Sequence, residues 1–400
     1  MNICSNKMAE INSDIRGRNY FLSLDLEKQG YDILKLNTGN PASFGFEMPQ
    51  SIKDALTENY TSALGYCDVR GMVSAREAIY LYHQKSGIKN FDLDNVFIGN
   101  GVSEIASMVC SSLLNPDDEV LLPTPCYSLW HNQVLLSSAK PIFYSCDENN
   151  GWNPDINHIK SLITKNTKAI LIINPNNPTG VLYSNETLLA IAELARKHNL
   201  IVLSDEIYDR LVFDGKKFTS FASLAPDVTT ITMNGLSKSH CLCGFRSGWA
   251  VISGDKKERT AISEAMLKIA SIRLCAGALM QTVIPAALND TQYTKEMIAP
   301  SGRLFKQRKA TWDALEKIPE ISFVKNDAAF YVFPKIKKEA LKYAIDKDFA
   351  FNLLTSKHIL VVPGSGFSYE NNDHFRIVML PEAEILTEAV NKIGEFLQGK

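Results

Sequence analysis

Residues 169–180 read AILIINPNNPTG, an unbroken apolar run that ends in a turn rich in Asn and Pro. A run without polar residues at every second position is typical of a strand whose two faces are both buried in a parallel sheet. The prolines and the glycine then end the strand and predict a loop at its carboxyl end. Similar apolar runs predict further strands at residues 95–98, 119–122, 200–203 and 229–232.

Amphipathic segments lie between these runs and predict helices. One covers residues 103–114, and another begins after Ser184, a typical N-cap residue, and continues to His198. Strands that alternate with helices favour an α/β domain, in which a mainly parallel central sheet has helices on both faces. The last hundred residues differ, and predict a smaller α+β unit with strands at 330–333 and 375–378 and helices at 302–314 and 383–397.

The composition is that of an ordinary globular protein. Of the 400 residues, 45% are hydrophobic and 22% are charged, which excludes disordered, collagen-like and coiled-coil chains. The 42 basic and 44 acidic residues leave a formal net charge of −2, which gives no electrostatic footprint for nucleic acid or an anionic membrane. The sequence shows no apolar leader or membrane span, and its eight cysteines form no CxxC pair. We therefore expect a cytoplasmic protein with reduced thiols and no metal site.

Polar residues follow several of the predicted strands, at the edge of a parallel sheet where ligands usually bind. Among them is Lys238, which is followed eight residues later by Arg246 in a segment flanked by glycines. A lone loop lysine is typical of a solvated surface charge. In a partly desolvated cationic setting, however, a lysine amine has a lowered pKa and forms an imine with a carbonyl group. Arg246 would then bind a phosphate of the same ligand.

Asp205 comes directly after the strand at 200–204. By itself, an aspartate at this position is typical of a helix N-cap or a surface carboxylate. A carboxylate that faces a pyridine nitrogen has a different role: it keeps that nitrogen protonated, so that the ring accepts electrons from a breaking bond. Tyr208 and Asn177 would donate to the phenolic oxygen of such a ring, although the sequence around Asn177 also favours a turn by itself. Residues 99–104 join a strand to a helix through two glycines, a frequent arrangement that lets backbone N–H groups approach a phosphate.

With these residues in place, the whole chain resembles the class I/II aminotransferases, which use pyridoxal 5′-phosphate (PLP). Its motifs occur in the family's order: Asn-Pro-Thr-Gly at 177–180, Asp-Glu-Ile-Tyr at 205–208, Ser-Lys at 237–238 and Gly-Phe-Arg at 244–246. The resemblance is greatest to bacterial glutamate–pyruvate (alanine) aminotransferases, through segments 34–41, 65–68 and 234–238. It implies a fold-type I PLP-dependent transferase. The expected parts are an N-terminal arm with part of the small domain (1–45), a large PLP-binding domain (46–295) and a C-terminal small domain (296–400).

The resemblance also implies roles for individual residues. Lys238 would carry PLP covalently and act as the catalytic base, with Asp205 and Tyr208 as further catalytic residues. The residues that would bind PLP are Lys238, Asn177, Asp205, Tyr208, Tyr127, Val102, Ser103, Glu104, Ser237, Arg246 and, from the other subunit, Tyr66. The residues that would bind the substrate are Gly39, Asn177 and Arg376, of which Arg376 would pair with the α-carboxylate through both arms of its guanidinium.

Two positions depart from the family's pattern. Gly235 stands where many relatives have a serine that donates to the phosphate, so that Asn234 or Ser237 would substitute, or binding would be weaker. Ala328 stands where a glycine is usual, which weakens any inference about the wall of the substrate pocket.

The resemblance implies transfer of an amino group between L-alanine/pyruvate and glutamate/2-oxoglutarate by a ping-pong mechanism, in a homodimer that binds neither nucleic acid nor membrane. An aminotransferase for aspartate or aromatic amino acids, or a C–S lyase on the same fold, remains open, because no residue fixes the side-chain specificity. Arg16 and Arg18 either approach a second carboxylate or belong to a solvated arm. A ligand sensor without catalysis is disfavoured, since Lys238 and Asp205 are both present.

Overall fold

The structure is a computed structural model that describes residues 3–11, 14–341 and 345–399. In these ranges the strands are β1 (Leu34–Lys35), β2 (Val96–Asn100), β3 (Glu119–Thr124), β4 (Lys140–Asp147), β5 (Asn153–Pro154), β6 (Thr167–Ile173), β7 (Ile201–Asp205), β8 (Thr230–Gly235), β9 (Ser247–Ser253), β10 (Ile321–Ser322), β11 (Tyr331–Val332), β12 (Lys335–Ile336), β13 (Ile359–Leu360), β14 (Val362–Pro363) and β15 (Phe375–Val378).

The helices in the same ranges are α1 (Arg18–Lys28), α2 (Gln50–Asn59), α3 (Val73–Lys85), α4 (Val102–Leu113), α5 (Ser128–Leu136), α6 (Ile156–Leu162), α7 (Asn185–His198), α8 (Phe221–Leu224), α9 (Leu236–Ser239), α10 (Lys256–Arg273), α11 (Ala278–Gln281), α12 (Ile284–Asn289), α13 (Gln292–Ile298), α14 (Arg303–Leu315), α15 (Asp346–Lys357) and α16 (Ala383–Gln398). None of the helices described combines the length and apolar character that a membrane crossing requires.

The central sheet has eight strands in the order β2-β9-β8-β7-β6-β3-β4-β5. The four pairs from β8 to β4 are parallel, β9 is antiparallel to both of its neighbours, and β5 is antiparallel to β4. The predicted mainly parallel sheet is therefore confirmed. Because β9 reverses direction, β2 runs the same way as β8, and its carboxyl end lies at the same edge as those of β3, β6, β7 and β8.

Both faces of this sheet are buried, which explains the unbroken apolar runs. Successive side chains of a strand point to opposite faces. In β6, Leu171 and Ile173 pack in the cluster that includes α4 and α10, whereas Ile170 and Ile172 pack in the cluster that includes α7. The helices predicted on both sides of the sheet are confirmed.

The smaller α+β unit is formed mainly by residues beyond 300. Strand β15 pairs antiparallel with β11 and β14, β10 pairs antiparallel with β12, and the N-terminal strand β1 pairs parallel with β13. Helices α14, α15 and α16 enclose a core that includes Leu36, Phe349, Phe375 and Val390. The domain boundaries at residues 45/46 and 295/296 stay a prediction.

Several element boundaries differ from the prediction for identifiable reasons. The strand predicted at 330–333 is reduced to two residues, because Ala329 before it has φ +58° and Pro334 after it has no N–H to donate. Asp205 is the last residue of β7 rather than the first residue after it. Ser184 is the N-cap of α7 as predicted, since its Oγ accepts the Thr187 N–H at 3.1 Å.

Candidate active site

The carboxyl ends of the central strands bring most of the predicted site residues to one edge of the sheet. Strand β7 ends at Asp205, and β8 leads directly into α9, which contains Lys238. Tyr127 follows β3, and Asn177 lies in the loop after β6. Arg376 comes from β15 of the smaller unit and reaches the same place, since its Nη1 donates to Asn177 Oδ1 at 2.8 Å.

Lys238 directs its amine towards the N-terminal segment. Its Nζ donates to the Gly39 carbonyl oxygen at 2.8 Å and lies 3.8 Å from Cys243 Sγ. Burial acts to lower the pKa of the amine, but the electrostatic effects of Tyr331, Cys243 and Tyr127 act to raise it, and the pKa is raised. The predicted lowering is therefore wrong for this arrangement, because the effect of the phenol and thiol groups exceeds that of the neighbouring cation, Arg376.

Asp205 is a buried carboxylate that accepts a hydrogen bond from an indole. Trp130 Nε1 donates to its Oδ2 at 3.0 Å, and the Ile207 backbone N–H donates to its Oδ1 at 3.3 Å. Burial raises the pKa of Asp205 to about 6, although these two hydrogen bonds and the charge of Lys238 act to lower it. Asp205 is therefore ionised at neutral pH while shielded from water, which suits a carboxylate that faces a protonated ring nitrogen.

Arg376 is a buried cation whose described hydrogen bonds go to neutral oxygens. Besides Asn177 Oδ1, it donates from Nη2 to the Asn37 carbonyl oxygen, and its Nε has no hydrogen-bond partner among the described residues. Its guanidinium carbon lies 4.5 Å from the ring centre of Tyr331 and 4.7 Å from that of Phe367. Burial lowers its pKa. A buried charge without an opposite charge is unfavourable, so this guanidinium is suited to receive the carboxylate of a ligand.

Gly39 lies in a space that no larger residue fits. A Cβ at this position would be 2.3 Å from Tyr331 Oη and 2.7 Å from the Phe330 ring. Tyr331 Oη in turn accepts a hydrogen bond from Tyr208 Oη at 2.9 Å. The Tyr208 and Tyr331 rings lie edge-on to Phe330, at 5.8 and 4.9 Å between ring centres. These aromatic rings wall the site and fix the position of the Tyr208 hydroxyl.

A second positively polarised region lies where β2 meets α4. The first N–H groups of a helix have no partner within it, and here they belong to Val102 and Ser103. The exposed Arg246 lies beside them and donates from Nη2 to the Asn100 carbonyl oxygen at 3.3 Å. Gly101 has φ +81°, and a Cβ there would lie 2.3 Å from Arg246 Nη2. We call Gly101, Val102, Ser103 and Arg246 the anion corner, because a helix N-terminus beside a guanidinium favours a bound phosphate.

Glu104 and Ser237, also predicted to bind the phosphate, have other contacts. The Glu104 carboxylate accepts hydrogen bonds from the backbone and side-chain nitrogens of Asn100 at 2.7 and 3.0 Å, which fixes the turn into α4. The Ser237 carbonyl oxygen accepts a hydrogen bond from Cys243 Sγ at 2.8 Å. A direct contact of Glu104 or Ser237 with a phosphate stays a prediction.

Close packing against β9 explains why residue 235 is a glycine and not a serine. A Cβ there would lie 2.6 Å from the Ser247 carbonyl oxygen, so β9 leaves no room for a serine side chain. The side chain of Asn234 is also engaged, since its Oδ1 accepts the Gly235 N–H at 2.7 Å and it hydrogen-bonds to Asp209. Of the two substitutes that the sequence suggested, Ser237 is therefore the better candidate.

Tyr127 and Tyr66, two of the three tyrosines predicted for the site, differ in their surroundings. Burial raises the pKa of Tyr127, the charges of Lys238 and Arg376 act to lower it, and the charge of Asp205 acts to raise it. Tyr66, by contrast, is 84% exposed in a surface loop. Its predicted contact with the site of a second subunit stays a prediction.

Sequence reasoning missed several residues that hold the site together. Trp130 hydrogen-bonds to Asp205, Asn37 accepts from Arg376, and Tyr331 accepts from Tyr208. Trp130 follows Tyr127 by three residues, but nothing in the sequence indicates which strand its indole faces. Tyr331 lies in an aromatic run that is equally typical of a buried strand.

Comparisons with known proteins give one consistent result. The family model for aminotransferase class I and II matches residues 31–393. The chain is 46% identical to the glutamate-pyruvate aminotransferase AlaA of Haemophilus influenzae over 393 residues, which cover 98% of this chain and 97% of that one. It is 42% identical to the alanine aminotransferase of Mycobacterium bovis, over 98% of this chain and 92% of that protein. A solved Escherichia coli aminotransferase superposes with a TM-score of 0.97 at 43% identity, over 99% of this chain and 98% of that one.

Proposed function

The chain belongs to the class I and II aminotransferases, and from this premise we propose that it is a PLP-dependent enzyme that transfers an amino group between L-alanine/pyruvate and glutamate/2-oxoglutarate. Relatives of 42 and 46% identity over 98% of the chain carry alanine or glutamate–pyruvate aminotransferase as their names. Those names support this substrate pair over aspartate, aromatic amino acids or C–S bond cleavage.

The observation that carries the proposal is the convergence of three charged side chains at one edge of the central sheet. The Lys238 Nζ lies 5.8 Å from the ring centre of Phe330, the Arg376 guanidinium carbon lies 4.5 Å from that of the adjoining Tyr331, and the charge of Lys238 acts on the Asp205 carboxylate. Amino-group transfer at an α-carbon uses a base for the α-proton, an acid group facing the cofactor's ring nitrogen, and an anchor for the α-carboxylate. These three residues supply one group for each task.

The residues present also fit the chemical groups of PLP. Its phosphate suits the anion corner, where Arg246 donates only to backbone carbonyls in its described hydrogen bonds. Its ring nitrogen suits Asp205, and its aldehyde suits the amine of Lys238. Its phenolic oxygen suits the side chains of Asn177 and Tyr208. We infer these contacts from the kinds of donor and acceptor that converge here.

When bound, PLP supplies an electron-withdrawing ring that weakens the bonds at the substrate's α-carbon. Arg376 binds the α-carboxylate and orients that carbon. Lys238 Nζ takes the α-proton and later delivers it as a general acid, and the neighbouring Gly39 carbonyl limits where the amine lies. Asp205 holds the proton on the ring nitrogen, while the aromatic wall of the pocket keeps water away. Because donor and acceptor share one carboxylate anchor, they bind in turn, which is ping-pong behaviour.

We propose further that the enzyme is a homodimer. Leu64, Tyr66 and Ile272 are 83, 84 and 82% exposed, and Leu274 is also exposed. The two segments that carry them, residues 64–67 and the end of α10 with the residues after it, touch, since the Cys67 N–H donates to Cys275 Sγ at 3.5 Å. A large exposed apolar patch is typical of a protein interface. A second copy on this patch would also be the route by which Tyr66 reaches a neighbouring anion corner.

A panel of substrates tests the proposed reaction. With 2-oxoglutarate as acceptor, L-alanine should give a higher kcat/KM than L-aspartate or L-phenylalanine. L-cystathionine without any oxo acid should release no pyruvate. A preference for aspartate or phenylalanine, or pyruvate release from cystathionine, would overturn the substrate assignment while leaving the family unchanged.

Borohydride reduction tests the lysine independently of turnover. Peptide mapping of the reduced protein should find the PLP label on Lys238 and on no other lysine. The Lys238→Arg variant is the matched control, because it keeps the positive charge and should carry no label. A label on another lysine in the wild-type protein would refute the site.

A further inference from the structure

Four ionisable side chains meet where the smaller unit packs against the central sheet. Glu148 directly follows β4 of the sheet, whereas Lys335, Asp373 and His374 belong to the smaller unit. Lys335 Nζ donates to Glu148 Oε2 at 2.8 Å and lies 3.8 Å from Asp373 Oδ2. The buried His374 has its Nδ1 2.6 Å from Asp373 Oδ1 and its Nε2 3.5 Å from Glu148 Oε1. We call these four residues the charge cluster.

The charge balance of this cluster depends on His374. Two carboxylates face the single ammonium of Lys335, so a neutral imidazole would leave one negative charge uncompensated in a partly buried place. His374 Nε2 has no hydrogen-bond partner among the described residues, and Glu148 attracts it strongly only when the ring is protonated. Burial acts to lower the pKa of His374, but the hydrogen bond to Asp373 and the charges of Asp373 and Glu148 act to raise it, and the pKa is raised.

The charge cluster is joined to Arg376 by a continuous packed face. His374 extends β15 by one residue, so its side chain and that of Arg376 point to the same face, while Phe375 between them points into the core of the smaller unit. The imidazole stacks on Phe333 with 4.9 Å between ring centres. Phe333 contacts Phe367 at 6.0 Å, and the Phe367 ring centre lies 4.7 Å from the Arg376 guanidinium carbon.

The other side chains around the imidazole carry no charge near neutral pH. Trp152 and Tyr369 pack edge-on against His374, at 5.4 and 4.9 Å between ring centres. Burial raises the pKa of the Tyr369 phenol, which is therefore neutral wherever an imidazole titrates. A cleft of about 1010 Å³, whose lining includes Glu148 and Lys335, brings water to the edge of the cluster. The protonation of His374 is thus set by the other three members of the charge cluster.

We propose that Glu148 and His374 are positioning residues, whose ion pair holds β15 against the central sheet and thereby fixes Arg376 for the substrate; this inference rests on the carboxylate-binding role proposed for Arg376. Arg376 itself joins β15 to the loop after β6, through Asn177 Oδ1 at 2.8 Å. A substrate carboxylate would compete with Asn177 for this guanidinium. The Glu148–His374 pair does not involve the guanidinium, so it keeps the strand in place while the substrate is bound.

The half-reaction of the PLP-loaded, full-length protein with the amino acid that the substrate panel selects tests the proposal, because it separates the apparent Kd of the substrate from the maximal rate. At about pH 6.5, where the imidazole is protonated, Glu148→Gln should raise the apparent Kd by about threefold or more and leave the maximal rate unchanged. Glu148→Asp, which keeps the charge, should recover part of the affinity. The exposed Glu370→Gln, which changes a carboxylate in the same cleft, is the matched control and should behave as the wild type.

The pH dependence of binding distinguishes an ion pair from a merely structural role. As the pH rises through the pKa of His374, the imidazole loses its charge and the apparent Kd of the wild type should increase. His374→Gln has no group that titrates there, so its apparent Kd should change less over the same range. The double variant of Glu148→Gln and His374→Gln should bind no more weakly than either single variant, since both remove the same interaction.

Histidine NMR gives a readout that does not depend on catalysis. The imidazole signal that is absent from His374→Gln identifies His374, and its pKa should be lower in Glu148→Gln than in the wild type. An unchanged imidazole pKa, or equal apparent Kd values for the wild type and Glu148→Gln, would overturn the proposal. A failure of the proposed substrate pair is seen in the wild type alone, whereas a failure of this proposal is seen only when the wild type and the variants are compared.

Discussion

Glu206, the neighbour of Asp205, allows a quantitative test of how burial affects a carboxyl group in this fold. Its Oε1 accepts three hydrogen bonds, from Ser204 Oγ at 2.9 Å, Ser220 Oγ at 2.8 Å and the Phe221 N–H at 3.2 Å. Burial raises its pKa from 4.5 to about 8, although these hydrogen bonds act to lower it. The folded protein therefore keeps Glu206 protonated at neutral pH, whereas the unfolded chain ionises it.

The size of the effect follows from this difference in pKa. One pKa unit corresponds to about 1.4 kcal/mol. The stability that protonated Glu206 contributes is fully present below pH 4.5 and is lost as the pH rises to about 8. Between pH 5 and pH 7 this loss amounts to about 2.5 kcal/mol. Gln is neutral in both states, and its amide oxygen is able to accept the same three hydrogen bonds, so Glu206→Gln should not lose stability in this way.

Urea unfolding followed by tryptophan fluorescence measures the prediction. The free energy of unfolding of Glu206→Gln, minus that of the wild type, should increase by about 2.5 kcal/mol from pH 5 to pH 7. The exposed Glu186→Gln makes the same substitution outside the core and is the matched control. If the Glu206→Gln curve stayed parallel to that of the wild type, Glu206 would be ionised in the folded protein and our reasoning would fail.

Three further substitutions test the candidate site. Trp130→Phe removes an N–H that lowers the pKa of Asp205, so the acid limb of kcat/KM against pH should move upward relative to the wild type; an unmoved limb would show that the indole does not set this pKa. Arg376→Lys should raise the KM for L-alanine by about tenfold or more, since one charge-assisted hydrogen bond contributes about 1.5–3 kcal/mol; steady-state kinetics with an unchanged KM would contradict the anchor. Gly101→Ala should displace Arg246 and weaken PLP binding by about tenfold, since a charge-assisted hydrogen bond is lost; an absorbance titration that gives wild-type affinity would refute the anion corner.

The central sheet was predictable because its physical requirement is local. A strand covered on both faces needs an apolar residue at every position, and residues 169–173 meet that requirement without reference to any other part of the chain. The direction of β9 was not predictable in this way, because an apolar run at 249–252 looks the same in a parallel or an antiparallel strand. Its antiparallel pairing with β2 and β8 appears only in the folded chain.

The same distinction between local and long-range requirements decides which features of the candidate site were predictable. The location of Asp205 and Lys238 near the carboxyl ends of buried strands follows from the sequence, because these ends define where such residues meet. The bond from Trp130 to Asp205 spans 75 residues and depends on the order of the strands between them. The direction of the Lys238 pKa depends on which side chains surround the amine, and the sequence around Lys238 does not name them.

The Arg376 guanidinium, with its contacts from Asn37 and Asn177, recognises only the end that all α-amino acids have in common. It is therefore indifferent to the rest of the substrate. Other side chains around the substrate therefore have to discriminate among amino acids. These side chains are able to change while Arg376 still binds the carboxylate. A scaffold built in this way can acquire a new preference in evolution while its chemistry stays the same.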